Sequence, residues 1–413
     1  MAPAPEPPTD AGTDVGTDAE GGRRSLVARA VVDPIQSFLA VEAASGILLV
    51  VAAVVAVAWA SSPWGHGHDR IFEHHLPGSR FPHSPAAWID DGAMALFFFV
   101  VGLEIKREWV AGALRDRRAA AVPVVAALGG MVVPALVFVA CTVGRGDGHG
   151  WGIAMATDIA FALGVLSLLG SRVPPSLKVF LLTLAIVDDV GAIIVIAAFY
   201  SDGIAWGWLA GAAGIAGLVF VLRRLDVRVH AVYVALGLAL WFATFQSGVH
   251  ATIAGVVLAL LTPATVRAGE STPLGERLEH LLHPWTSYLV LPVFALANAA
   301  IDVGGHGFRN PGSVSVGVAL GLVLGKTVGI SLGVLVAVRS RLGPVPEGAS
   351  ATQVLGAAVL GGIGFTVSIF VAGLAYPTGP HGEEARAAIL VSSVVAAALG
   401  SLILVLAGRR SAG

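Results

Sequence analysis

A chain of 413 residues that is 56% hydrophobic and only 13% charged is no ordinary soluble domain, in which about a quarter of residues carry charge. Its mean hydropathy of +0.82 predicts a polytopic, all-α membrane protein whose first partner is the lipid bilayer. The net charge of −2 singles out no partner by its sign, no nucleic-acid partner is expected, and one cysteine, Cys141, excludes an internal disulfide.

Residues 1–30 begin with a Pro-, Gly-, Thr- and Asp-rich stretch and are predicted to form a disordered cytoplasmic tail. That stretch is acidic and lacks an apolar core, so it does not read as a signal peptide. Residues 31–408 form the membrane domain and 409–413 a short cytoplasmic tail. Twelve spans are predicted, near 36–60, 88–110, 119–141, 151–170, 176–200, 205–222, 229–245, 248–262, 281–300, 314–338, 353–375 and 386–407. Only Arg70, Arg80, Arg145, Arg309 and Arg386 fall on one side of them. Every other Lys and Arg save Lys326 falls on the side of the termini, which the positive-inside rule makes cytoplasmic. The polar connection after the first span, WGHGHDRIFEHHLPGSRFPH, reads as a small surface hairpin.

In chain order, the first charge of interest is Asp91 in WIDDGAMALFFF, at the mouth of a cavity or simply at the interface. The same span ends in VGLEIKRE, with Glu104, Arg107 and Glu108 at the cytoplasmic surface. Glu279, His280 and His283 of RLEHLLHPW share that face. Since histidine titrates near neutrality, these six form either a pH-sensing cluster or a solvated, salt-bridged helix end. His250 in QSGVHATIAG opens a span on the opposite side and is a further pH-response candidate.

Thr157 and Asp158 interrupt the apolar run AMATDIAFALG, and GGIGFTVSIF is a second Gly-interrupted segment in the other half of the chain. Paired interruptions of this kind point to discontinuous helices around a transport site. Where half-helices meet, an aspartate can cap the freed N-terminal ends or ligate an ion, and the residues alone leave both roles open.

The most demanding feature is Asp188–Asp189 in VFLLTLAIVDDVGAIIVIAAFYS, two acids midway through a 179–201 span. Each costs about 2.5–3.5 kcal/mol to insert at mid-bilayer. In a helix their side chains diverge by about 100°, so one is expected in a water-filled path and the other against a neighbouring helix. A proton or a small hard cation relieves the same unfavourable charge. Lys326, midway along VSVGVALGLVLGKTVGISLGVLVAV, needs a carboxylate partner at that depth, and either aspartate qualifies.

These motifs, together with LAIVDDVGAIIVIAAFY and LGKTVGISLG, resemble the NhaA-type sodium/proton antiporter family over most of the chain. The resemblance implies twelve helices in inverted repeats with two discontinuous crossing helices, and homodimers joined through the hairpin. It implies that Asp188 and Asp189 bind Na+ and protons, with Asp189 the more direct ligand. Lys326 would pair with the first Asp, and Thr157 and Asp158 would sit at the helix crossing. Asp91 becomes a cavity carboxylate, while Glu104, Arg107, Glu279, His283 and His250 are tied to pH response. No cofactor is implied beyond the transported Na+, Li+ and H+. Thr327 follows the lysine where many members have Pro, and Asp90 stands where Asn is common.

The expected function is therefore electrogenic, pH-regulated Na+(Li+)/H+ antiport in a bacterial cytoplasmic membrane, by alternating access at the Asp pair and without enzymatic chemistry. One alternative is a sodium- or proton-coupled solute symporter, for which the spans supply no further polar group. Another is an intramembrane aspartyl protease, whose G-x-G-D element Gly144–Asp147 resembles, though in a polar connection.

Overall fold

The computed structural model describes residues 33–74, 84–201, 203–227, 229–266 and 270–411. By its internal contacts the chain divides into a short unit, Met1–Val41, and a large one, Glu42–Gly413. Of the first, only the start of a helix is described. The second carries everything that follows.

The regular structure among the described residues is helical throughout. Helix α1 is Asp33–Ala60 and α2 is Gly65–Phe72. Next come α3 (Pro85–Val110), α4 (Arg117–Thr142) and α5 (Ile159–Leu168), entered through a 3-10 segment, Gly148–Met155. Then follow α6 (Pro175–Phe199), α7 (Trp206–Arg224), α8 (His230–Gln246) and α9 (Thr252–Leu261). The remainder are α10 (Leu274–Trp285), α11 (Leu291–Asn298), α12 (Ser313–Arg339), α13 (Ala351–Leu360), α14 (Phe365–Ala375) and α15 (Pro380–Ser411). Seven helices are long and apolar enough to cross a membrane, or nine if two bent pairs each count as one span. Their outward residues, such as Trp206, Leu218 and Val221 on α7 or Leu332 and Leu335 on α12, form apolar surface suited to lipid.

Each of the twelve expected segments contains helix, but α8 and α9 are apolar yet too short to count as spans, and the α10–α11 stretch is not among the helices long and apolar enough to cross a membrane. The turn at Gly248, with φ +80°, keeps α8 and α9 apart. The expected hairpin needs correction where it is described. Residues 65–72 form α2, bent 114° from α1. His68 and Phe72 lie one helical turn apart and are buried, and His68 Nε2 bonds the Leu296 carbonyl at 3.0 Å. The rest of that connection, 75–83, and the predicted tail over 1–30 lie outside the described residues.

One close, reciprocal backbone approach sets the position that matters most. A Cβ on Gly129 of α4 would stand 2.2 Å from the Gly329 carbonyl of α12, and one on Gly329 would stand 2.2 Å from that of Gly129. Small residues let membrane helices approach this closely, and the contact anchors α12 one turn from Lys326. Three π-turns, Ile89–Ala93, Thr286–Val290 and Gly321–Gly325, each adjoin polar or charged side chains, as such insertions frequently do at functional sites.

Candidate functional site

Pro175 at its first turn and a Leu/Ile/Val-rich run make α6, which carries Asp188 and Asp189, both 1% exposed. The neighbours differ in their surroundings. Asp188 Oδ2 accepts hydrogen bonds from Lys326 Nζ and from the Thr157 hydroxyl, the latter at 2.7 Å. Lys326 is fully buried and also donates to Thr157 Oγ1 at 2.8 Å. The single Thr157 proton has a second acceptor, the Gly361 carbonyl at 2.8 Å, so this hydroxyl links α6, α12 and both helix breaks.

Neither Asp189 oxygen has a hydrogen-bond partner among the described residues. Buried carboxylates are ordinarily saturated with donors, and an unmet charge in low dielectric is costly. Oxygens left bare in this way suit a proton or a cation. No group of three or more His, Cys, Asp or Glu arranged to hold a metal ion occurs among the described residues.

Asp158 is placed differently. It is the N-cap of α5, and its Oδ1 accepts from Phe161 N at 2.9 Å. Its Oδ2 accepts from the backbone N and hydroxyl of Thr366 in the first turn of α14, at 2.9 and 2.6 Å. Its own N–H donates to the Ile363 carbonyl at 2.7 Å. One carboxylate thus caps two half-helices whose N-terminal ends meet, offsetting the partial positive charge of both. Thr366 and Ser393, whose hydroxyl accepts from Phe365 N at 3.2 Å, complete the junction. Neither stands out in the sequence as a site residue, although Thr366 lies within the interrupted GGIGFTVSIF.

Two cavities flank the breaks. One of ≈330 Å³ is lined by Asp90, Asp91, His250, Asn298 and Phe370. There Asn298 donates to Asp90 Oδ1 at 2.7 Å, and Trp241 Nε1 donates to the Asp91 carbonyl at 2.8 Å. His250 Nε2 lies 2.6 Å from the carbonyl of Tyr200, just past α6. The other, of ≈40 Å³, is lined by Glu104, Asp158, His283, Thr286 and Ser287. Asp188 and Asp189 line neither.

The six residues expected near one surface divide. Arg107 pairs with Glu279 at 2.7 Å and Glu108 at 3.6 Å, while His280 faces Glu276 at 3.8 Å. Glu104 and His283 instead line the smaller cavity. Burial pushes the Glu279 carboxyl above its ordinary value, partly offset by the Arg107 charge. Lys106, in the same VGLEIKRE segment, donates to the carbonyls of Leu260 at 2.6 Å and of Thr262 at the C-terminal end of α9.

The G-x-G-D element offers no protease geometry. Asp147 sits in the turn before the 3-10 segment, where its carboxylate meets Ser313 at 2.5 Å and His381 at 3.5 Å.

The family model for Na+/H+ antiporter 1 matches residues 36–404, a stretch that contains every candidate site residue named above. The chain belongs to that family. A Na+/H+ antiporter NhaA from Anaeromyxobacter sp. (strain Fw109-5) is 44% identical over 92% of this chain and 93% of its own. NhaA 2 from Novosphingobium aromaticivorans is 46% identical, over 89% and 95%. NhaA from Vibrio cholerae serotype O1 is 44% identical, over 90% and 97%. The family's names describe transporters. This member of the Na+/H+ antiporter family carries its buried ion pair and its bare carboxylate on neighbouring residues of one helix.

Proposed function

We propose that the chain exchanges Na+ or Li+ for protons across a bacterial cytoplasmic membrane, with twelve spans in inverted repeats, both termini cytoplasmic, and a homodimeric assembly. The observation that carries this reading is Asp189, whose two buried oxygens have no donor among the described residues while its neighbour Asp188 is held by Lys326 and Thr157.

In this reading Asp189 holds either the cation or a proton, and the loaded forms cross because the bare anion is too costly to move through low dielectric. Cation entry draws Asp188 toward the ion and loosens its pair with Lys326. The second proton then leaves from the Lys326 ammonium or rides on Asp188. Two protons against one Na+ move net charge in each cycle, so a membrane potential, inside negative, drives sodium out. The Asp91 cavity is the outer approach and the Glu104 cavity the inner one. The Arg107–Glu279 pair makes the inner face responsive to pH.

The test is sodium-dependent dequenching of a pH dye in everted vesicles. Asp189→Asn is expected to abolish it, and an undiminished signal would remove Asp189 from the transport path. Clamping the potential at zero is expected to slow exchange, which an electroneutral cycle would not show.

A further inference from the structure

On the face opposite the Arg-rich connections, four chain segments converge at one histidine. Asp147 precedes the 3-10 segment that leads to the Thr157–Asp158 break, Ser313 opens the Lys326 helix, Tyr376 follows α14, and His381 and Glu384 lie in the first turns of α15. Ser313 Oγ donates to Asp147 Oδ2 at 2.5 Å. The Tyr376 hydroxyl donates to the Asp147 carbonyl and accepts from Gly150 N at 3.0 Å. Ser315 Oγ donates to the Glu384 carbonyl at 3.3 Å.

His381 bridges the group. Its Nε2 lies 3.5 Å from Asp147 Oδ1 and its Nδ1 lies 3.5 Å from Glu384 Oε1, and Nδ1 makes no hydrogen bond among the described residues, so the ring stands between the two acids without being bonded to Glu384. Glu384 is only 4% exposed, and its other oxygen has no hydrogen-bond partner among the described residues. The Tyr376 ring packs on the imidazole at 5.7 Å between centroids. Other charges nearby point elsewhere. Arg386 Nε turns back to the Gly382 carbonyl at 3.3 Å, Arg309 lies beside Asp302 and Gly304, and Arg145 and Glu383 are exposed.

We infer that His381 is a regulatory proton site on the outer face, a clasp that closes when protonated and holds the four segments around the transport site together. An imidazolium has two N–H donors and can serve both carboxylates, whereas the neutral ring has one donor and turns a lone pair toward the other acid. The side chain is 40% exposed, so protons reach it without passing through the transport site. Outer acid closes the clasp and slows rearrangement of the 3-10 segment; outer alkali frees it.

The inference rests on antiport at the Asp pair, and its test separates the two. In right-side-out vesicles with an alkaline lumen, labelled-sodium release by His381→Gln is compared with wild type at outer pH about 6 and about 8. The variant-to-wild-type ratio is expected to be roughly two- to fivefold at the lower pH, the factor a partly exposed ion pair supplies, and near one at the higher. His381→Arg, permanently charged, is expected to match wild type at the lower pH and fall below it at the higher. Ratios that do not change with outer pH overturn the clasp. Hydrogen exchange over 143–155 in the wild-type protein, corrected for intrinsic rates, needs no transport at all. Protection is expected to drop between the two pH values, and pH-independent protection overturns the clasp even where sodium–proton exchange is intact.

Discussion

Asp158 and Asp189 are equally buried carboxylates with opposite surroundings. Asp158 accepts from two backbone amides and a hydroxyl, on two helices distant in sequence. Asp189 accepts from nothing among the described residues. A carboxylate saturated by fixed donors is architecture, because any ion it took would have to displace them. One left bare is poised to exchange partners. The contrast extends along α6 itself, where Asp188 is paired with Lys326 and the Asp189 oxygens have no hydrogen-bond partner among the described residues.

Breaking the charge balance has the largest expected effect. Lys326→Ala leaves Asp188 buried without its cation and is expected to cost about 3–5 kcal/mol, measured by thermal unfolding in detergent. Adding Asp188→Asn should recover most of that loss, and no recovery would mean that Lys326 stabilises through packing alone. Asp158→Ala removes the acceptor for both half-helix caps and is expected to cost about 2–4 kcal/mol. In the same assay Asp189→Asn should cost nothing or raise the unfolding temperature, since an amide brings no charge to bury. Equal losses at 158 and 189 would erase the distinction.

A smaller effect sharpens the junction. Thr366→Val removes one donor to Asp158 while the Thr366 backbone bond remains, and about 1 kcal/mol is expected.

The smallest effect is one of pH. The folded chain binds the Glu279 proton more tightly than the unfolded chain does. Its contribution therefore favours the fold at low pH and is lost as pH rises through the raised value. Above that value the Arg107–Glu279 pair is charged on both sides. Glu279→Gln should change transport at acidic pH more than at alkaline pH, as read in everted vesicles, and an unchanged pH profile would separate this pair from any pH response.

The class of the fold was legible because hydropathy is a bulk signal, and the Asp pair and Lys326 were legible because charge amid such runs is conspicuous. The junction was only half legible. Asp158 announces a break, but its second client, Thr366, is 208 residues away, and a cap across that separation leaves no local pattern. The π-turns were invisible for a different reason, since one extra residue in a helical turn barely alters apolar spacing. Residues 65–72 were read as part of a hairpin because the polar connection is long and FEHHL is flanked by Gly and Pro, while burial of His68 and Phe72 on one face selects a helix there.

The most direct test of the account is proton release on sodium binding by the purified, weakly buffered protein at alkaline pH. Wild type is expected to release protons when Na+ is added and to take them up when it is removed, and Asp189→Asn to release none. Sodium binding without proton release in wild type, or equal release by the variant, would contradict it.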